Sequence, residues 1–117
     1  MNTRYSAGDV LLASLVFSAQ DGIKKRPVLV VHDAGDDDLL VLPVTSHAGR
    51  SSWDIPLADW SQSGLRLPSV VRSNKLATVA KTAVVRQLGK IGANDRRRLL
   101  VELPKLFKAI VAGWQSV

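Results

Sequence analysis

Residues 24–46, KKRPVLVVHDAGDDDLLVLPVTS, constrain the fold more than any other part of the chain. Two apolar runs flank the acidic segment 34–38, AGDDD, in which Gly35 suits a positive-φ turn position. Runs rich in Val and Leu on either side of such a turn predict two strands of a hairpin. If they pair, the far ends meet. Lys24, Lys25 and Arg26 then lie beside Thr45 and Ser46. Cations next to hydroxyl donors at a sheet rim suit the binding of a phosphate.

The remaining chain supplies partners for that hairpin. Residues 8–17, GDVLLASLVF, are apolar on both sides and predict a mostly buried strand. Residues 1–7 read as a loose lead-in and 18–25 as a polar loop. Pro27 lacks a donor and should begin the strand 28–32 or lie on an edge, and Pro43 argues for an edge or bulge in the return strand 39–45. A second turn, 47–52, leads to a half-exposed strand, 53–57. The connection 58–67 has room for one helical turn at ADWSQ. A short run, 69–72, follows, then a bent strand continuation over 73–81 and a last strand, 83–91, with Gly89 at a bend.

From Gly92 the period changes. Leu99, Leu103, Phe107, Ile110 and Trp114 recur every three or four residues, the signature of one helix face. Gly92 or Asn94 can begin that helix, Asp95 suits its positive end, and Pro104 should kink or split it. The expected class is mainly β: about six short strands in a small twisted barrel, with a C-terminal helix over one open side.

Size and charge narrow the function. A chain of 117 residues predicts one domain spanning 1–117. With no cysteine, disulfide frameworks and thiolate chemistry are excluded. No basic start with an apolar stretch marks a signal peptide, and no apolar run approaches the ~20 residues of a membrane span. A soluble, cytoplasmic protein with no membrane association is expected. Sixteen basic against ten acidic residues leave a net charge of +6. That balance favours an anionic partner, nucleic acid first.

The order GDVLLASLVF, KKRPVLVV, LLVLPVTS, LPSVVRSNKLATV and VVRQLGKI before a C-terminal helix resembles the MazF/PemK family of toxins, over nearly the whole chain. Arg26–Pro27 and Thr45–Ser46 are the most specific pieces of the likeness. The resemblance implies an SH3-like barrel of the MazF/PemK (CcdB-like) type, usually a homodimer, with a cognate antitoxin protein as partner. It implies a metal-independent endoribonuclease without cofactors that cuts single-stranded RNA at short sequences. The substrate's own 2′-hydroxyl attacks phosphorus, leaving a cyclic phosphate and a free 5′-hydroxyl. The family's arginine and threonine fall on Arg26 and Thr45. A third, often acidic position falls on Asn74, two residues after Arg72; an amide there cannot act as a base.

The residue types fit these roles. A guanidinium stays protonated, matches phosphate oxygens and is a poor base, so Arg26 would stabilise charge. Thr45 can donate to a non-bridging oxygen. Each also has a plain structural role open to it, as a solvated strand-end arginine and a β-branched sheet residue. His47, in the following turn, is a candidate general base, with Asp21 as another; His32 lies inside a strand. Lys24, Lys25, Ser46, Arg50, Arg66, Arg72, Asn74 and Lys75 are candidate RNA contacts. Trp53 and Trp60 could stack on bases. Arg96, Arg97 and Arg98 form a solvated face or a hold for an acidic tail. The alternatives to cutting are a non-catalytic nucleic-acid-binding module or a topoisomerase-poisoning toxin on the same barrel.

Overall fold

The computed structural model describes residues 3–18, 22–47 and 51–117. Seven strands precede one helix: β1 (Asp9–Ser18), β2 (Gly22–His32), β3 (Asp38–Thr45), β4 (Asp54–Pro56), β5 (Val70–Arg72), β6 (Ala77–Ala80), β7 (Val84–Lys90) and α1 (Ala93–Gln115). The sheet order is β4-β5-β3-β2-β1-β7, with β6 also paired to β3. All pairings are antiparallel. The sheet is barrel-like but does not close, because β4 and β7 remain its ends.

Over residues 10–13 both faces of β1 are buried, as the apolar run there requires. Val10 joins one core cluster with Leu29, Leu42, Val44, Ile55, Val71 and Leu99. Leu11 and Ala13 join the other, with Val28, Val30, Leu39, Val41 and Val79. Residues 3–7 of the lead-in are held to the body of the protein. Tyr5 packs on the second cluster, and its N–H donates to Asp33 Oδ2 at 2.9 Å. Asp33 also accepts from the Gly35 N–H and sits 3.1 Å from Lys81 Nζ. The two backbone donors, then Lys81, hold its carboxyl well below the usual carboxylate range against the opposing effect of burial.

The prolines fall where the sheet changes partner. β2 meets β3 only from Val28 onward, so Pro27 has β1 alone beside it. β3 pairs with β6 over Asp38–Val41 and with β5 at Val44 and Thr45, so Pro43 lies in the gap between them.

Several sequence-based expectations are corrected. Residues 22–25 are strand rather than loop, since β1 and β2 stay paired as far as Ser18 and Gly22, in a ribbon projecting beyond the sheet. The chain turns at 73–76 before a separate β6, with the Lys75 N–H on the Arg72 carbonyl. The connection 58–67 does hold a single helical turn, closed by the Ser63 N–H donating to the Asp59 carbonyl, followed by the Leu65 N–H on the Trp60 carbonyl. The helix is not split at Pro104: it runs on for 23 residues. The proline removes one hydrogen bond but sits on an exposed side where water can satisfy the freed carbonyl.

α1 is anchored at its start. Asp95 is buried, and its two oxygens accept the N–H groups of Ala58 and Asp59 at 2.7 and 2.8 Å. Leu99 and Leu103 pack on the first cluster. Phe107, Ile110, Val111 and Trp114 do not: Trp114 keeps 77% of its surface exposed. Among the described residues no helix is long and apolar enough to cross a membrane.

Asp95→Ala strands two backbone donors and unfastens the helix from the 58–67 connection. A loss of about 2–4 kcal/mol in urea unfolding is expected, from two hydrogen bonds to a charged acceptor.

Candidate functional site

One large hollow of about 1210 Å³ opens beside the rim where β2 and β3 part. Its floor is apolar and continues the first core cluster: Leu12 of β1, Pro27 of β2, Val44 of β3, Leu65 of the connection and Leu88 of β7. Its lining carries six permanent cations, Lys25, Arg26, Arg66, Arg72, Lys75 and Arg86. No Asp or Glu is among the described residues that line it. Like charges gathered over a low-dielectric floor focus a positive field, which an anion relieves.

The backbone sets where Arg26 and Thr45 meet. Val28 is opposite Pro43, and continuing that register by two residues sets Arg26 opposite Thr45. There β3 has already turned to β5, so the two residues stand at an open rim rather than inside a ladder. Both line the hollow. Arg26 is exposed, and its Nη1 donates to the Lys25 carbonyl at 3.2 Å. The Thr45 hydroxyl accepts the His47 N–H at 3.1 Å. Accepting that bond leaves the hydroxyl proton free to be donated to a ligand. Arg72 Nη2 lies 3.5 Å from the His47 carbonyl, a long contact that steadies the same turn. His47 lines the hollow, and its ring is the one titratable group there besides the cations, among the described residues.

The opposite wall depends on two glycines. Gly64 has φ +86°, and a Cβ there would sit 2.1 Å from the Leu88 carbonyl oxygen. A Cβ on Gly89 would meet the Ser63 carbonyl oxygen at 2.6 Å. Bare backbone at both positions lets the connection lie directly on β7, next to a register shift between Val10 and Leu11 in the β1–β7 pairing. That contact, with the Asp95 clasp, sets Arg66 and Leu67 on the rim facing β3.

Of the residues singled out from sequence, Lys25, Arg26, Thr45, Ser46, His47, Arg66, Arg72 and Lys75 come together here. Lys24 does not line the hollow; it is exposed on the β1–β2 ribbon opposite Leu15. Asn74 does not either, because β5 ends at Arg72 and the turn carries Asn74 outward. Arg50 and Asp21 lie outside the described residues. His32 is exposed at the end of β2, away from the hollow. Trp60 packs against the first core cluster, and neither it nor Trp53 reaches the lining. Arg96, Arg97 and Arg98 are exposed on the helix start, with Arg97 donating to Asn94. Sequence reasoning missed Arg86. Its signal was strand alternation, which puts it on the same face as Leu88.

Residues 6–107 match the family profile described as PemK-like, MazF-like toxin of type II toxin–antitoxin system. Curated protein sequences give no match. Among solved structures, the chain is similar to Mycobacterium tuberculosis toxin MazF-mt6, at 24% identity and a TM-score of 0.69, over 86% of this chain and 96% of that one. It is similar to an endoribonuclease in complex with its cognate antitoxin from Mycobacterial species, at 14% identity and a TM-score of 0.71, over 90% and 96%. MazF from Deinococcus radiodurans aligns at 19% identity with a TM-score of 0.69, over 92% and 99%. At these identities the likeness is one of fold.

The six basic side chains gathered in the hollow predict stabilisation by polyanions. A polyphosphate at about 100 times its dissociation constant should add about 2.7 kcal/mol. Thermal unfolding would show the rise in melting temperature, reduced in Arg72→Ala and weakened by salt.

Proposed function

The chain belongs to the family of PemK-like, MazF-like toxins of type II toxin–antitoxin systems, and from that footing we propose that it is an endoribonuclease that cuts single-stranded RNA in the cationic hollow. The observation that carries this reading is the meeting of Arg26 and Thr45 at an open rim, among cations and without a lining carboxylate among the described residues.

RNA brings its own nucleophile, so the protein's work is alignment and charge stabilisation. The 2′-oxygen attacks the adjacent phosphorus, and the bond from phosphorus to the 5′-oxygen breaks. The products are a 2′,3′-cyclic phosphate and a 5′-hydroxyl. Arg26 binds the non-bridging oxygens as their charge grows and hydrogen-bonds the leaving 5′-oxygen, which takes its proton from solvent water. Thr45 donates its free hydroxyl proton to a non-bridging oxygen. The His47 ring takes the proton from the 2′-hydroxyl. Lys25, Arg66, Arg72 and Lys75 hold flanking phosphates, which gives salt-dependent affinity. No step needs a metal ion, and the reaction belongs in the cytoplasm, where RNA is found.

Incubation with long single-stranded RNA in EDTA, followed by end mapping, tests this. Cuts bearing 5′-hydroxyl ends are expected. Arg26→Ala and Thr45→Ala should each cut about 10²–10³-fold more slowly with the fold intact. Unchanged cutting in both refutes the site. A second reading, binding without cleavage, draws on Asn74 and on the absence of a carboxylate from the described lining; retained RNA with no cut ends would select it.

The uncovered half of α1 supports a homodimer. Phe107, Ile110, Val111 and Trp114 form one exposed apolar stripe beside a shallow groove between Ile110, Gly113 and Val117. A cognate antitoxin then acts on the dimer. Sedimentation should give a dimer for the native protein and a monomer for Trp114→Asp with its helix content retained.

A further inference from the structure

Arg86 of β7 lines the same hollow as Arg26. Leu12 is paired with Pro27 on one side and with Arg86 on the other. The three residues therefore form one row across β2, β1 and β7, with their side chains on one face. Two strand spacings, roughly 10 Å, separate the backbone of Arg86 from that of Pro27, the neighbour of Arg26. Leu12 and Leu88 line the floor on the Arg86 side.

Arg86 is exposed, and among the described residues no hydrogen bond or ion pair holds its guanidinium. β7 ends the sheet, so Arg86 has a strand neighbour on one side only. Placing another cation in a hollow that already holds five costs free energy unless an anion arrives. An anion held by Arg26 and Thr45 would lie across β1 from Arg86. A nucleic-acid strand supplies a second phosphate at such a distance, with apolar floor between for a base.

We propose that Arg86 binds an RNA phosphate other than the one at Arg26, holding the strand across the floor of the hollow. This rests on the ribonuclease reading of the same hollow. As a phosphate contact it carries affinity rather than chemistry.

The test uses the full chain and a random-sequence single-stranded DNA pool, which lacks the 2′-hydroxyl and cannot be cut. Binding is measured across a salt series. Arg86→Ala should bind about 10- to 100-fold more weakly, with the slope of log affinity against log salt reduced by about 0.7. Arg86→Lys should keep the slope. On long RNA, Arg86→Ala should raise KM and leave kcat near native, whereas Arg26→Ala should lower kcat. Native affinity, slope and KM in Arg86→Ala, alongside an active native protein, overturn the Arg86 assignment alone. A native protein that neither binds the pool nor cuts RNA overturns the ribonuclease reading beneath it.

Discussion

The structure depends on β3 changing partners. It pairs with β6 over Asp38–Val41, with β2 over Leu40–Pro43, and with β5 at Val44 and Thr45. Leu42 and Pro43 span the change. A proline there forfeits no bond on that side, because no strand is beside it. The switch bends the sheet, so the end of β2 and the end of β3 come apart at one rim. Without that parting, Arg26 and Thr45 would face each other inside a ladder, with no room for a ligand.

The same bend gathers charge. Six cations from four separate parts of the chain converge on a floor that is an extension of the core. The described acidic residues lie elsewhere. Asp33 is spent on Tyr5, Gly35 and Lys81, and Asp95 on the 58–59 backbone. Asp36, Asp37 and Asp38 sit at the opposite end of the β2–β3 hairpin. Separating the signs in this way gives up local pairing. In return it concentrates an anion-attracting field over a low-dielectric surface, where it acts most strongly.

The helix divides into two halves with different roles. Its start is a structural clasp: Asp95 and Leu99 fix it to the connection and the core, and the connection in turn carries Arg66 and Leu67 to the hollow. Its end leaves an apolar face uncovered. A sequence reading sees one continuous stripe from Leu99 to Trp114. Periodicity identifies a face that wants covering, but cannot say whether the same chain covers it.

Local chemistry fixed much of this in advance. Apolar alternation located the strands, Gly35 the turn, the changed period the helix, and the two hairpin strands the meeting of Arg26 with Thr45. These are short-range properties, legible from neighbouring residues. Pairing distances were not. The β1–β2 ribbon reaches polar residues 22–25 because two strands can pair in water without a core, and composition there resembles a loop. Arg86 joins the hollow only because β7 lies beside β1, more than seventy residues away in the chain. Asn74 leaves it because the chain turns after Arg72. Trp60 misses it because the connection that carries it packs it against the first core cluster. The sequence by itself determined the cores of the main strands, the helix and which residues carry positive charge; the tertiary structure decided how far the strands pair and which of those residues share one hollow, because that depends on strand neighbours and turns that no local pattern encodes.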